Sequence, residues 1–144
     1  MNNPKNKRSA SKIDAAKVWS LNYRLVMSVI VAVAPELAEL GLEPKELFVL
    51  AEVDEHAHPA ALAGVLCMPK PTVTVHLKRL EAAGFLRREI DAEDLRRHRL
   101  LLTPSGRKAM TQGLALLSGA FRARLERLSD TQQAQLAALL EQLA

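Results

Sequence analysis

The sequence predicts a mainly α fold, a winged helix-turn-helix with long N- and C-terminal helices and a small β-hairpin wing. Three observations lead there. Between Pro71 and Ala83 the residues Val73, Leu77 and Leu80, continued by Gly84, fall on one side of a helix. Pro71, Thr72, Val75, Lys78 and Arg79 gather on the other side, so this helix has an apolar spine and a polar face. Beyond Gly84, the runs Phe85–Ile90 and His98–Leu102 flank a charged loop, Asp91–Arg97, which reads as a hairpin with arginines at its tip. Leu and Ala dominate elsewhere, with only one Trp, one Tyr and three Phe, a composition that favours helices.

Taken in order, residues 1–10 are polar, basic and aperiodic, and are expected to be a disordered arm. Residues 11–40 read as one long helix capped by Ser11 and interrupted near Pro35, with apolar positions at Ile13, Val18, Leu21, Leu25, Val29, Val33 and Leu37. Its uncharged stretch from Leu25 to Ala34 is ten residues, short of the roughly 20 that a membrane span needs, and is expected to be buried.

Residues 41–103 hold the helix-turn-helix and its wing. Pro44 suits a first helical position, and Leu47, Leu50 and Val53 line the inward side of a helix expected to end near Glu55. The break His56-Ala57-His58-Pro59 precedes a second short helix with Ala61, Leu62, Val65 and Leu66 on its apolar side. Cys67-Met68-Pro69-Lys70 is the turn into the Pro71 helix. At the end of that helix Gly84 supplies the left-handed residue, and Leu80 with Phe85 the apolar contact, of a helix stop.

Residues 104–144 restart as helix. Thr103 is the cap and Pro104 the first position, and Met110, Leu114, Leu117, Phe121, Leu125 and Leu128 form a stripe. Ser129 and Gln132 make a capping box for a last helix with Leu136, Leu139, Leu140 and Leu143 on one face. The central unit is too small to cover the apolar faces at both ends, so the terminal helices are expected to be dimerisation helices.

The net charge of +4 is unevenly spread: residues 25–69 carry one basic against seven acidic side chains, and residues 70–108 ten against five. A basic block on a folded unit is the footprint of a polyanion partner, here double-stranded DNA, whose major groove accepts a helix. The single cysteine, Cys67, excludes an internal disulfide and suits a reducing, cytoplasmic setting, and no secretory leader is read at the basic N-terminus. Cys67 reads as a small apolar side chain, and His56 with His58 lacks the carboxylate-rich spacing of a metal site, so neither metal nor cofactor is expected. No phosphate loop, triad or hydrolase spacing is present, and the chain is not expected to be an enzyme.

The run PTVTVHLKRLEAAGFLRR, followed by DAEDLRR and LLLTPSG, resembles the MarR family of winged helix-turn-helix transcription regulators, with the same order of elements from about Ile13 onward. The resemblance implies a homodimer on a palindromic operator, most often a repressor relieved by a small-molecule effector, aromatic or other, or by oxidation. Carried over by position, it places Thr72, Thr74, Val75, His76 and Arg79 against DNA and Arg96 in the minor groove, with Asp94 orienting the wing arginines. Val75 departs from the basic or polar side chain of many members and can offer a base only a methyl contact. From the residues themselves, Arg79 suits a guanine, Lys78 a phosphate, and Arg97, with Arg87, Arg88 and Arg99, the backbone. Trp19 and Tyr23, one turn apart, are expected to line an effector pocket. Two rival functions use the same residues differently. One is an architectural DNA-coating protein without base readout, the other a helical protein–protein adaptor that binds no DNA.

Overall fold

A computed structural model describes residues 13–144. The expected basic arm and the Ser11 cap lie outside these residues. Six helices and one hairpin follow in the order α1 (Ala15–Glu39), α2 (Pro44–Glu52), α3 (Pro59–Val65), α4 (Lys70–Ala82), β1 (Leu86–Ile90), β2 (His98–Leu102), α5 (Pro104–Leu125) and α6 (Asp130–Leu143).

The helix ends follow from local chemistry. Asp14 caps α1, its carboxylate accepting from the amides of Ala16 and Lys17 at 3.0 and 3.2 Å. No interruption occurs at Pro35: α1 runs through it to Glu39. Pro35 withholds only the amide that Val31's carbonyl would accept, and Val31 lies on the solvent side, where that carbonyl is not shut away from water. Gly41 and Gly84 end α1 and α4 at φ +78° and +76°. At the end of α4 the Gly84 amide donates to the Glu81 carbonyl and the Phe85 amide to the Leu80 carbonyl, the paired bonds of a left-handed stop. Helix α2 closes at Glu52, three residues before the expected end.

The core lies where α1, α2, α4 and α5 converge over the hairpin. Leu37, Leu47, Leu50, Leu62, Leu77, Leu80 and Leu100 are fully buried there. Each contributes on the order of 1.5–3 kcal/mol of transfer free energy. The fully buried side of helix α5 is Gly106, Ala109 and Gly113, with Gly106 against Phe85 and Gly113 against Leu37 of α1 and Leu47 of α2, while the leucine stripe is only partly buried. Met110 and Leu117 flank this contact half-buried, and Leu114 stays 37% exposed. Small residues win this face because they let the helices approach: a Cβ on Gly113 would lie 2.7 Å from Leu47 Cδ1. Arg124 then fastens α5 to α1, donating to the Ser28 hydroxyl and carbonyl at 3.0 and 2.8 Å.

The expectation that the stretch from Leu25 to Ala34 is buried is corrected: within it only Val29 and Val33 are buried, and Val26 and Val31 are exposed. Over the whole of α1 only Val29, Val33 and Leu37 enter the core, and Val18, Trp19, Leu21 and Tyr23 are also exposed. By length and composition α1 could cross a membrane, with a mean hydropathy of 1.4 over 18 residues. Its apolar surface exceeds what α2 and α5 can cover within one chain. No residue of α6 is buried, so α1 and α6 both present apolar faces.

Candidate nucleic-acid interface

Helix α4 rests on Val73, His76, Leu77 and Leu80, all buried. That anchorage turns Pro71, Thr74, Val75, Lys78 and Arg79 outward, with Thr72 half-buried at the margin. Val75 is 57% exposed, an apolar side chain held in solvent at the centre of a polar face. The Thr74 hydroxyl donates to the Lys70 carbonyl at 3.0 Å, which fixes its rotamer.

One expected member of this face is elsewhere. His76 was placed outward, but it is 7% exposed and points toward α2, with Nδ1 3.8 Å from Glu46 Oε1. Its spacing explains this: three residues after Val73 and four before Leu80, it belongs to the inward arc.

Arg79 reaches back across the helix. Its guanidinium donates to Glu43, the residue capping α2, and lies 3.3 Å from the buried Glu46 Oε1. The Arg79 hydrogen bond is the largest influence on Glu43 and holds its carboxyl below the ordinary value of 4.5. The same bond pushes Arg79 upward. Glu46 also closes the α2 capping box by accepting the Glu43 amide at 2.9 Å.

The hairpin lies beside α4. Its strands pair antiparallel, Leu86 opposite Leu102 and Ile90 opposite His98. Leu86 and Leu100 point into the core. The loop before α3 holds the hairpin's other edge, with the Leu100 amide donating to the Ala57 carbonyl at 2.8 Å. His58 brackets the base of the tip: Nδ1 is 3.2 Å from the His98 carbonyl oxygen and Nε2 3.2 Å from Asp91 Oδ2. Sequence reasoning did not find this role for His58. Asp91 is also held below its ordinary value, first by the Glu93 amide and then, against a burial effect, by His58.

At the tip Asp94 accepts from the Arg96 amide at 3.0 Å and its other oxygen lies 4.0 Å from Arg97 Nε. The acid therefore steers Arg97 and the tip backbone rather than the Arg96 side chain. Arg87 pairs with Glu89 and Arg88 with Glu81. Among the described residues Lys78, Arg96 and Arg99 form no ion pair, which leaves them available to an external anion. The structure thus brings Thr72, Thr74, Val75, Lys78 and Arg79 to one face with Arg96 and Arg97 on the neighbouring wing.

Trp19 and Tyr23 stand apart from this face on the first half of α1, 69% and 56% exposed. They do not line the cavity of about 520 Å³ that lies further along α1, between Val26, Val29 and Ile30, Phe48 of α2, and Leu117 and Phe121 of α5. Leu21, Arg24 and Leu25 in the first half of α1 do face α5 and Leu136 of α6 across a second cavity of about 500 Å³, but Trp19 and Tyr23 do not line that one either.

Residues 42–98 match the MarR family. A comparison with curated proteins gives no match. Among solved structures, MepR of S. aureus, in complex with DNA, aligns at TM-score 0.74 and 20% identity over 92% of this chain and 97% of that one. CouR from Rhodococcus jostii RHA1, bound to p-coumaroyl-CoA, aligns at 0.76 and 23% over 88% and 90%. A probable transcriptional regulator from Pseudomonas aeruginosa aligns at 0.75 and 25% over 89% and 97%.

Proposed function

We propose that this chain, whose residues 42–98 match the MarR family of transcription regulators, acts as a cytoplasmic homodimeric repressor on a palindromic operator. One observation carries the reading. A helix buried along Val73, Leu77 and Leu80 offers Thr74, Val75, Lys78 and Arg79 to solvent beside a wing tipped by Arg96 and Arg97. A helix with these side chains fits the major groove, and the wing arginines fit the adjacent minor groove. Two copies related by a two-fold axis set their α4 helices about one helical turn, roughly 10 bp, apart. The uncovered faces of α1 and α6 are the surfaces that a second copy covers.

The effector belongs to the cavity between α1, α2 and α5, about 520 Å³ with walls of valine, isoleucine, leucine and phenylalanine. Such walls suit a flat apolar or aromatic body. A ligand there wedges α1 and α5 against α2 and changes the separation of the two reading helices.

Selection of bound genomic fragments followed by sequencing tests the proposal. A sequence-specific dimer enriches one inverted repeat, whereas an architectural protein enriches none and an adaptor retains no DNA in a salt-dependent manner.

A further inference from the structure

We propose that Glu43, Glu46 and His76 form a site for a divalent transition-metal ion, in competition with the guanidinium of Arg79. One donor atom from each of the three side chains lies within 4.8 Å of the others. Glu43 and Glu46 stand at the start of α2, and His76 on α4, so the site bridges the two helices.

Burial distinguishes this cluster from an ordinary acidic patch. Glu46 and His76 are 1% and 7% exposed; among the described residues His76 Nδ1 has no hydrogen-bond partner, and Glu46 Oε1 has none beyond the 3.3 Å ion pair to Arg79. Buried polar atoms are nearly always paired, because an unpaired one forfeits its hydration. The 3.8 Å between these two is too long for a hydrogen bond but suits two atoms aimed at one electrophile. Ligands roughly 2.1 Å from a tetrahedral ion stand roughly 3.4 Å apart, so a modest inward movement completes the geometry.

Charge points the same way. Two carboxylates face one guanidinium, and a divalent ion in its place balances both of them. Arg79 holds this place from the surface, since its side chain is 51% exposed and can swing into water when an ion displaces it. Two carboxylate oxygens and one imidazole nitrogen suit Zn²⁺ or Mn²⁺, not the softer copper(I). Entry is through a neighbouring cavity of about 540 Å³, lined by Glu43 and His76 with Met27, Ile30, Phe48 and Met68. The second such cluster, Glu52, Glu55 and His56, has no unpartnered buried atom and carries no site.

Occupancy releases Arg79 toward the outer face of α4. The effect on DNA rests on the function proposed above, but the site does not. Any gain in DNA affinity must be matched by an equal gain in metal affinity on DNA.

Calorimetric titration of the metal-free full chain with Zn²⁺ and Mn²⁺, and with Mg²⁺ for contrast, tests the site without DNA. The expected result is one transition-metal ion bound per chain at this site. Glu43→Gln and His76→Gln should each weaken it at least about tenfold, the loss that even an outer-shell partner can cause. Arg79→Ala should tighten binding several-fold, which a merely structural arginine would not do. His56→Ala should leave this binding unchanged. Because Glu43 is half-exposed, its variant keeps the test sound if the His76 variant unfolds. Absence of Zn²⁺ and Mn²⁺ binding overturns the site, as does binding indifferent to Glu43→Gln or weakened by Arg79→Ala. Titration of metal-free protein with DNA separately tests the regulator reading.

Discussion

Gly106 lies against Phe85 so closely that a Cβ on it would sit 2.0 Å from the Phe85 carbonyl oxygen. The contact joins the first turn of α5 to the strand entry after α4. The obstacle is backbone, already engaged by the Thr103 amide at 3.1 Å, so it cannot rotate away. Gly106→Ala should therefore destabilise by about 3 kcal/mol or more, beyond the usual range for overpacking. Gly113→Ala meets the flexible end of Leu47 and should cost about 1–2 kcal/mol. Gly64→Ala, with nothing within 4 Å, should be neutral or stabilise by up to about 1 kcal/mol. Urea midpoints of the three variants test that order, and equal losses at 106 and 64 would contradict the geometry.

The DNA reading separates Lys78 from Arg79 in a salt titration. Lys78 is exposed and forms no ion pair among the described residues, as suits a phosphate contact. Lys78→Ala should weaken all sequences alike and flatten the slope of log affinity against log salt by about one unit. Arg79→Ala should cost roughly 1–3 kcal/mol on the selected operator and relax the base preference at one position. Gel-shift titrations at three salt concentrations distinguish these outcomes. Unchanged affinity in both variants would mean that this helix face does not meet DNA.

Why one face of α4 was legible and its far side was not follows from the residues. Gly84 and Phe85 announced the helix stop because only a few residue types adopt a left-handed turn with an apolar closing contact. Ser129 and Gln132 announced the start of α6 in the same way. His76 comes to the DNA face only through the family resemblance, whereas its spacing puts it with 73, 77 and 80 on one inward arc. Gly106 and Gly113 gave no apolar signal, since what matters about them is the side chain they lack. The link from Arg79 to Glu43 spans 36 residues and no periodicity encodes it. Glu46 did carry a sign: an acidic residue at the third position after a cap is half of a capping box.

Acid should loosen the α2–α4 junction. Glu43 is held below its ordinary value of 4.5, chiefly by the Arg79 hydrogen bond, so the folded state binds its proton less readily than the unfolded chain. Its stabilisation is complete above the unfolded value and is lost as pH falls through the folded one. Asp91 acts in the same direction at the wing. Stability measured by urea unfolding should be flat from about pH 7 to pH 5 in this respect and then decline. Glu43→Gln should remove part of that decline, on the order of 0–1 kcal/mol for a half-exposed pair. A decline of the same size in the variant would assign the acid sensitivity to other groups.

The terminal helices supply the last prediction. Leu139, Leu140 and Leu143 are 56%, 46% and 84% exposed on a helix with no buried residue, a pattern suited to a partner and unfavourable in water. Trp19, Leu21 and Tyr23 add a second uncovered stretch on α1. Sedimentation of the full chain at micromolar concentration should give a dimer. Leu139→Glu with Leu143→Glu should shift it to monomer, because each new carboxylate must be desolvated to rebuild the contact. The core around Leu37, Leu47 and Leu80 contains no residue of α6, so the circular-dichroism spectrum of the variant should keep most of its helix signal. Operator affinity should fall steeply, since one chain can engage only one half-site, while weak binding to bulk DNA through Lys78 and the wing should persist. A wild-type monomer would overturn the dimer, and a variant that remains dimeric would place the two-fold contact elsewhere.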